Sequence, residues 1–259
     1  MGDLSKIGRV FFAIAIAGLG LQTIIYKSFP YMLFPPKHSW IPGIAVIACI
    51  FGAFLLYVGI CIALSKKSRS TSLLLGFVLL LIFCVGFVPY LFVSNTYLNW
   101  GEWETTEKEL ALAAGAFVIA GCLTGNTENP FLGFLAKLIP FSAIIFSLTM
   151  ICFGIDHFLY AADTADYMPS WVPFKSFWVY FAGSALIASG IGIILNIKRN
   201  LAVTLLGIMI FIWVIILHIP KVIYAPSPPE MRGELASVFL ALAYSGIAFV
   251  IARGEISNK

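Results

Sequence analysis

Ionisable side chains inside or at the rim of apolar runs are costly and therefore informative, and here they are Asp156, His157 and His218. Two neutral imidazoles could ligate a haem iron or a metal. They could also hydrogen-bond a quinone headgroup and exchange protons with it. Lys221 lies one turn beyond His218. Tyr160, Trp171, Trp178 and Tyr180 could furnish a flat aromatic lining. The candidate ligand site is therefore Asp156, His157, Tyr160, Trp171, Trp178, His218 and Lys221. Structural roles are the plainer alternative, with His157 paired to Asp163 or Asp166, and His218 bonded to the carbonyl that Pro220 frees. His38 is the only other histidine and nothing else resembles a cytochrome, so a haem has little support. The chain has no phosphate loop, nucleophile elbow or zinc motif, so no metal site and no catalytic residue is assigned. Cys49, Cys61, Cys84, Cys122 and Cys152 all lie in apolar runs without a C-x-x-C pair and read as free, packed thiols.

Such residues need elements to hold them, and composition says which. Of 259 residues 61% are hydrophobic and only 11% charged. A water-soluble domain averages about 25% charged and could not hide so much apolar surface. A bilayer can act as solvent for the outer face. The net charge of +4 is small and scattered, which argues against nucleic acid. Crossing a bilayer takes about 20 apolar residues. Eight runs qualify: 7–26, 41–64, 72–94, 108–124, 137–160, 176–197, 200–224 and 230–253. The fourth is the shortest, and Thr106-x-x-Glu109 reads as its capping box. Ser227-Pro228-Pro229-Glu230 opens the eighth in the same way. Lys6 and Arg9 before an apolar stretch resemble a signal peptide. The later counterpart of that stretch makes it a structural helix instead.

Charge assigns the sides. The N-terminus, the even-numbered loops and the C-terminus carry ten of the sixteen cations, and the odd-numbered loops carry nine of the twelve acids. The positive-inside rule then places both termini in the cytoplasm. Glu102 and Glu104 around Trp103 read as a solvated outer loop.

The chain also repeats itself. Ser39-Trp40-Ile41-Pro42 recurs 131 residues on as Ser170-Trp171-Val172-Pro173. Gly52 matches Gly183, Gly59 matches Gly190, Lys67 matches Lys198, Pro89 matches Pro220 and Gly115 matches Gly246. In the first helices Tyr26 is matched with Tyr160. Four helices per unit give parallel copies rather than inverted ones. The expected fold is all-α integral membrane, eight transmembrane helices as two parallel-repeat four-helix bundles. Residues 1–124 form the first unit, 125–136 a linker and 137–259 the second. Trp40 and Trp171 suit the headgroup zone. Pro42 and Pro173 suit a first helical turn, and Pro89 and Pro220 should bend their helices. Gly52, Gly59, Gly183, Ser184, Ala188, Gly190 and Gly192 are candidates for close helix packing. At the offset of 131, His218 falls opposite Phe87 and His157 opposite Tyr26, with Gln22 and Thr23 the only polar echo. The first unit is then a degenerate copy, and any site is single.

The second half, with His157-Phe158, Pro169-Ser170-Trp171-Val172-Pro173, the run Gly183 to Gly192 and Leu217-His218-Ile219-Pro220, resembles the DoxX-like superfamily. That resemblance implies a four-helix membrane unit in a bacterial inner membrane. It also implies a spread of roles: a thiosulfate:quinone oxidoreductase subunit, a component of an oxidative-stress oxidoreductase complex, cargo receptors and receptor-assembly chaperones. Fold analogy does not choose among them. The reading preferred from sequence is an accessory or complex subunit with no catalytic constellation of its own, held in lipid beside another membrane or exported protein. The alternative is a quinone-binding, redox-linked oxidoreductase subunit with its site at the outer face of the second bundle. A small-molecule transporter ranks below both.

Overall fold

The structure is a computed structural model that describes residues 3–36, 41–125 and 129–252; Trp40 and His38 lie outside them. Ten helices account for its regular structure: α1 (Asp3–Tyr26), α2 (Ile44–Ala63), α3 (Ser68–Val93), α4 (Trp100–Gly121), α5 (Pro130–Ala136), α6 (Ile139–Leu159), α7 (Ala161–Tyr167), α8 (Lys175–Ile194), α9 (Arg199–Ile223) and α10 (Pro228–Ile251). Seven of these are long and apolar enough to cross a membrane: α1, α2, α3, α6, α8, α9 and α10. The short α5 occupies the second part of the stretch read as a linker.

The fourth expected span differs. It starts at Trp100 rather than near Thr106, with Asn99 as the N-cap, its side chain accepting from the Gly101 N–H. Thr106 and Glu109 are therefore mid-helix and buried, and no capping box forms there. The extra turns carry Glu102, Glu104, Glu107, Lys108 and Glu109, which removes α4 from the set of purely apolar spans. Glu102 and Glu104 likewise stand on a helix and not in a loop. At the other predicted cap, Ser227 Oγ does accept from the Glu230 N–H and donates to Glu230 Oε1 at 2.9 Å.

Long-range contacts fix the course of each helix. Trp100 at the start of α4 bonds Asp156 near the end of α6, and Gly121 at its end faces Ile139 at the start of α6. Helix α4 is thus antiparallel to α6 along its whole length. Its 22 residues reach about 33 Å at 1.5 Å rise per residue. Helix α1 runs antiparallel to α10, since Gly8 faces Gly246 and Gln22 Nε2 donates to the Arg232 carbonyl at 2.7 Å. The first helix therefore packs on the last and α4 packs on α6, so the halves share one core, running from Phe12 to Ala252.

Glycine sets the closest approaches. A Cβ on Gly52 would lie 2.7 Å from the Gly20 carbonyl oxygen, and one on Gly59 2.7 Å from that of Ala13. A Cβ on Gly154 would lie 2.7 Å from the Gly183 oxygen, and one on Gly190 2.7 Å from that of Ser147. Contacts between α1 and α2 thus recur between α6 and α8. The second helices follow the offset of 131, but the first helices are offset by 134, as Gly20 and Gly154 require. In that register Asp156 and His157 stand opposite Gln22 and Thr23, and Tyr26 stands opposite Tyr160, not His157. Ser184 and Ala188 are exposed, because the face turned to α6 is that of Gly183 and Gly190, one residue round the helix. Gly192 is buried against Ala202 of α9.

Other local geometry recurs with the 131 offset. Ser65 and Lys67 have φ of 57° and 49°, and Asn196 and Lys198 have 56° and 45°. Gly43 and Phe174, ahead of α2 and α8, are both left-handed. Pro42 and Pro173 accordingly precede the helices rather than occupying their first turns. In α3 and α9 the backbone widens into π-turns at Ile82–Phe87 and Val214–His218. Pro89 and Pro220, which cannot donate to a carbonyl one turn back, explain why the turn shifts there.

Substituting Gly183 by valine should push α6 and α8 apart and lower the melting temperature in detergent by several degrees, as overpacking costs about 1–3 kcal/mol. Gly233→Ala on α10, where a Cβ would meet nothing within 4 Å, should leave it unchanged or slightly raised. Equal melting temperatures for the two variants would contradict the packing described.

Candidate functional site

The helix ends just described converge at one end of the bundle, where α1, α3, α6 and α9 finish and α2, α4, α8 and α10 begin. A cavity of about 790 Å³ opens there. Its deeper wall is apolar: Met150, Phe153, Leu186, Met209, Ile210, Leu240 and Ala241. Its polar groups come from α4 (Glu104, Lys108), α6 (Asp156, His157), α7 (Asp163, Tyr167), α9 (His218) and α10 (Glu230, Glu234), with Tyr31 from the loop after α1. Such a volume, largely apolar with a few convergent polar groups, has the character of a small-molecule site.

Each polar side chain has a local reason for its position. His157 Nδ1 lies 2.7 Å from the Phe153 carbonyl oxygen. That oxygen only accepts, so Nδ1 carries the proton and Nε2 is left as the acceptor. Trp100 Nε1 donates to Asp156 Oδ1 at 2.5 Å, which pins the first residue of α4 to the last turn of α6. Asp156 Oδ2 is buried without a protein partner. His218 ends the π-turn of α9, with its ring 6.4 Å from that of Tyr167 and its Nδ1 buried and unpartnered. Lys108 Nζ is 2.6 Å from Glu104 Oε1, and the Lys108 carbonyl accepts from Tyr244 OH at 2.9 Å. Tyr31 OH is 3.1 Å from Ser237 Oγ.

Helix α7 closes one side. Tyr167 OH donates to Glu234 Oε2, and Lys221 Nζ sits 4.1 Å above the Tyr167 ring and 3.8 Å from Glu234 Oε1. Burial first, and the Glu234 carboxylate second, push the Tyr167 phenol well above its ordinary range, so it stays a donor.

Four of the seven residues expected in the site line the cavity: Asp156, His157, Tyr160 and His218. Trp178 lies outside it, packed edge-on to Trp213 at 6.1 Å, and Trp213 does form part of the wall. Trp171 is 58% exposed and borders a second cavity of about 390 Å³ that Lys221 also lines. Tyr180 is exposed against Phe158. Neither structural pairing expected for the histidines occurs: His157 bonds a main-chain carbonyl, and His218 Nδ1 has no partner. Sequence reasoning missed Glu104, Lys108, Tyr31, Tyr167, Glu234 and Tyr244. Four acids within eight residues beside an apolar run was the available signal for α4. For the others, sequence offered only a shared side of the membrane.

Among the described residues no group of three or more His, Cys, Asp or Glu side chains is arranged to hold a metal ion. All five cysteines are free thiols. Comparisons with protein-family models, with curated proteins and with solved structures return no match to this chain.

Because Tyr167 ties α7 to α10, Tyr167→Phe should speed amide hydrogen exchange across residues 161–168 by the equivalent of about 1.5–3 kcal/mol, the usual worth of a bond to a charged group. Exchange elsewhere in α10 should be unaffected. Unaltered exchange in α7 would mean that the bond does not hold it.

Proposed function

We propose that this protein is a DoxX-like membrane subunit that holds one small amphipathic molecule in the cavity between α4, α6, α8, α9 and α10, and that its role is accessory: keeping or handing on that molecule, not transforming it. The observation that carries this reading is the cavity itself, about 790 Å³ with an apolar interior and its polar groups gathered at one end. An accessory role follows from the polar groups present. Several are satisfied by each other, as Tyr167 is by Glu234 and Lys108 by Glu104.

The same reading takes the chain as two copies of a four-helix unit with eight crossings. The recurring glycine contacts, left-handed turns and π-turns support the duplication. The full-length antiparallel pairing of α4 with α6 supports α4 as the eighth crossing, its charges turned to the cavity and core. Positive-inside bias supports cytoplasmic termini, with the cavity at the outer face of an inner membrane.

A quinone is the second reading, favoured by the fact that His157 and His218 line one cavity with Tyr160, Trp213 and Tyr244 around them. It would make the protein a redox-linked oxidoreductase subunit.

Mass spectrometry of small molecules copurified in mild detergent should detect a stoichiometric species in the native protein. Ala241→Phe and Ala182→Phe, which place a ring in the cavity, should lose it while melting temperatures stay close to native. No copurified species, or equal retention in both variants, would remove the basis for this reading. Topology is tested separately in a cysteine-free background. Leu98→Cys should react with an impermeant maleimide from outside the cell, while Lys66→Cys and Phe131→Cys should react only after permeabilisation. Labelling of Leu98→Cys and Phe131→Cys from the same side would show that α4 does not cross.

A further inference from the structure

The charge and hydrogen-bond polarity of the cavity point to a narrower ligand class, and this step rests on the reading of the cavity as a small-molecule site. Five carboxyl side chains line it, Glu104, Asp156, Asp163, Glu230 and Glu234, against the single ammonium of Lys108. Lys108 is already engaged by Glu104 at 2.6 Å, and Lys221 is held outside by Glu234 and the Tyr167 ring. The phenol of Tyr167 spends its proton on Glu234. Acceptors predominate among the groups left over. Asp156 Oδ2 is a buried acceptor with no partner. His157 Nε2 is an acceptor, because Nδ1 gives its proton to Phe153. His218 Nδ1, buried and unpartnered, can accept from an incoming donor. Rings of Tyr31, Phe153, Tyr160, Trp213 and Tyr244 complete the wall. A quinone carbonyl needs donors, and of the cavity's donors Lys108, Tyr167 and Tyr244 are already committed. A carboxylate ligand would meet a like-charged rim.

We propose that the cavity takes an amphipathic amine in its protonated form, with the ammonium donating to Asp156 and the two imidazoles and the hydrocarbon part lying against Met150, Leu186, Met209 and Leu240. The two functions of Asp156 are separable. Oδ1 accepts from Trp100 and holds α4 to α6, while Oδ2 faces the unfilled need. Asp156→Asn retains an oxygen for Trp100 and replaces the charged acceptor with a donor. It should therefore leave the fold intact and weaken ammonium binding selectively.

The test uses the full chain in lipid nanodiscs, with equilibrium dialysis of radiolabelled octylamine, octanol, octanoate and octyltrimethylammonium against empty nanodiscs. Octylamine should bind above the empty-disc background and more tightly than the other three, by about 10- to 100-fold over octanol, the worth of a charge-assisted hydrogen bond. Asp156→Asn should lose about that factor for octylamine and leave octanol binding as it was. Octanol or a short-chain quinone binding as well as octylamine, or octyltrimethylammonium binding equally, would overturn the assignment while leaving a ligand site in place. Binding of none of these probes, together with no copurified molecule, would overturn the cavity reading as well.

Discussion

Helix α4 brings Glu107, Lys108 and Glu109 into a bundle whose other long helices are largely apolar, where they lose the water that would solvate them. That constraint orders the architecture around the site. The remedy is to place α4 inside, with α3, α6 and α10 against it, so that its residues from Thr106 to Ala120 are nearly all buried. Lys108 and Glu104 then face a cavity and satisfy each other, and Glu107 turns toward α6. The Trp100–Asp156 bond fixes where along α6 this happens. Arg69 seals the far end of α4 by donating to the carbonyls of Ala120 and Leu123 at 3.1 and 2.9 Å. Glu109 is the exception, wholly buried with neither oxygen partnered.

The two halves meet the same packing problem with opposite results. After α1 the chain runs through Phe29, Pro30, Tyr31, Met32 and Leu33, and Met32 and Leu33 are wholly buried in the shared core. After α6 the equivalent stretch is the polar helix α7, Ala-Ala-Asp-Thr-Ala-Asp-Tyr, none of whose residues is buried. An apolar segment is drawn down into the bundle and fills it. A polar one stays at the rim, held by Tyr167, and leaves room beneath. The cavity of about 790 Å³ thus lies under the polar connection and not under the apolar one.

The sequence made the scaffold legible because lipid leaves few options. Apolar run length gave seven helices close to their observed limits, and the repeated glycines marked where backbones meet. It was less informative where two periodicities compete. The capping pattern at Thr106 lost to a longer helix begun by Asn99, and the three-residue slip that the Tyr26–Tyr160 match implies is settled for the first helices only by Gly20 and Gly154 facing Gly52 and Gly183. Of the candidate site, Asp156, His157 and His218 were readable as polar residues in apolar surroundings. Trp171 and Lys221 were equally conspicuous but turn to a second cavity. Glu104, Lys108 and Tyr31 belong to the other half of the sequence, and only the packing of α4 on α6 and α1 on α10 brings them in.

That interleaving ties the two halves of the chain together at the cavity. Neither half closes on itself. Instead α4 supplies the floor of charges and α1 buttresses α10, so the cavity of the second half is walled by both. Asp156 and His157 line a cavity that Glu104 and the polar α7 also border. Gln22 is already spent on the Arg232 carbonyl and Thr23 on that of Leu19. The first half thereby supplies part of the wall of the cavity.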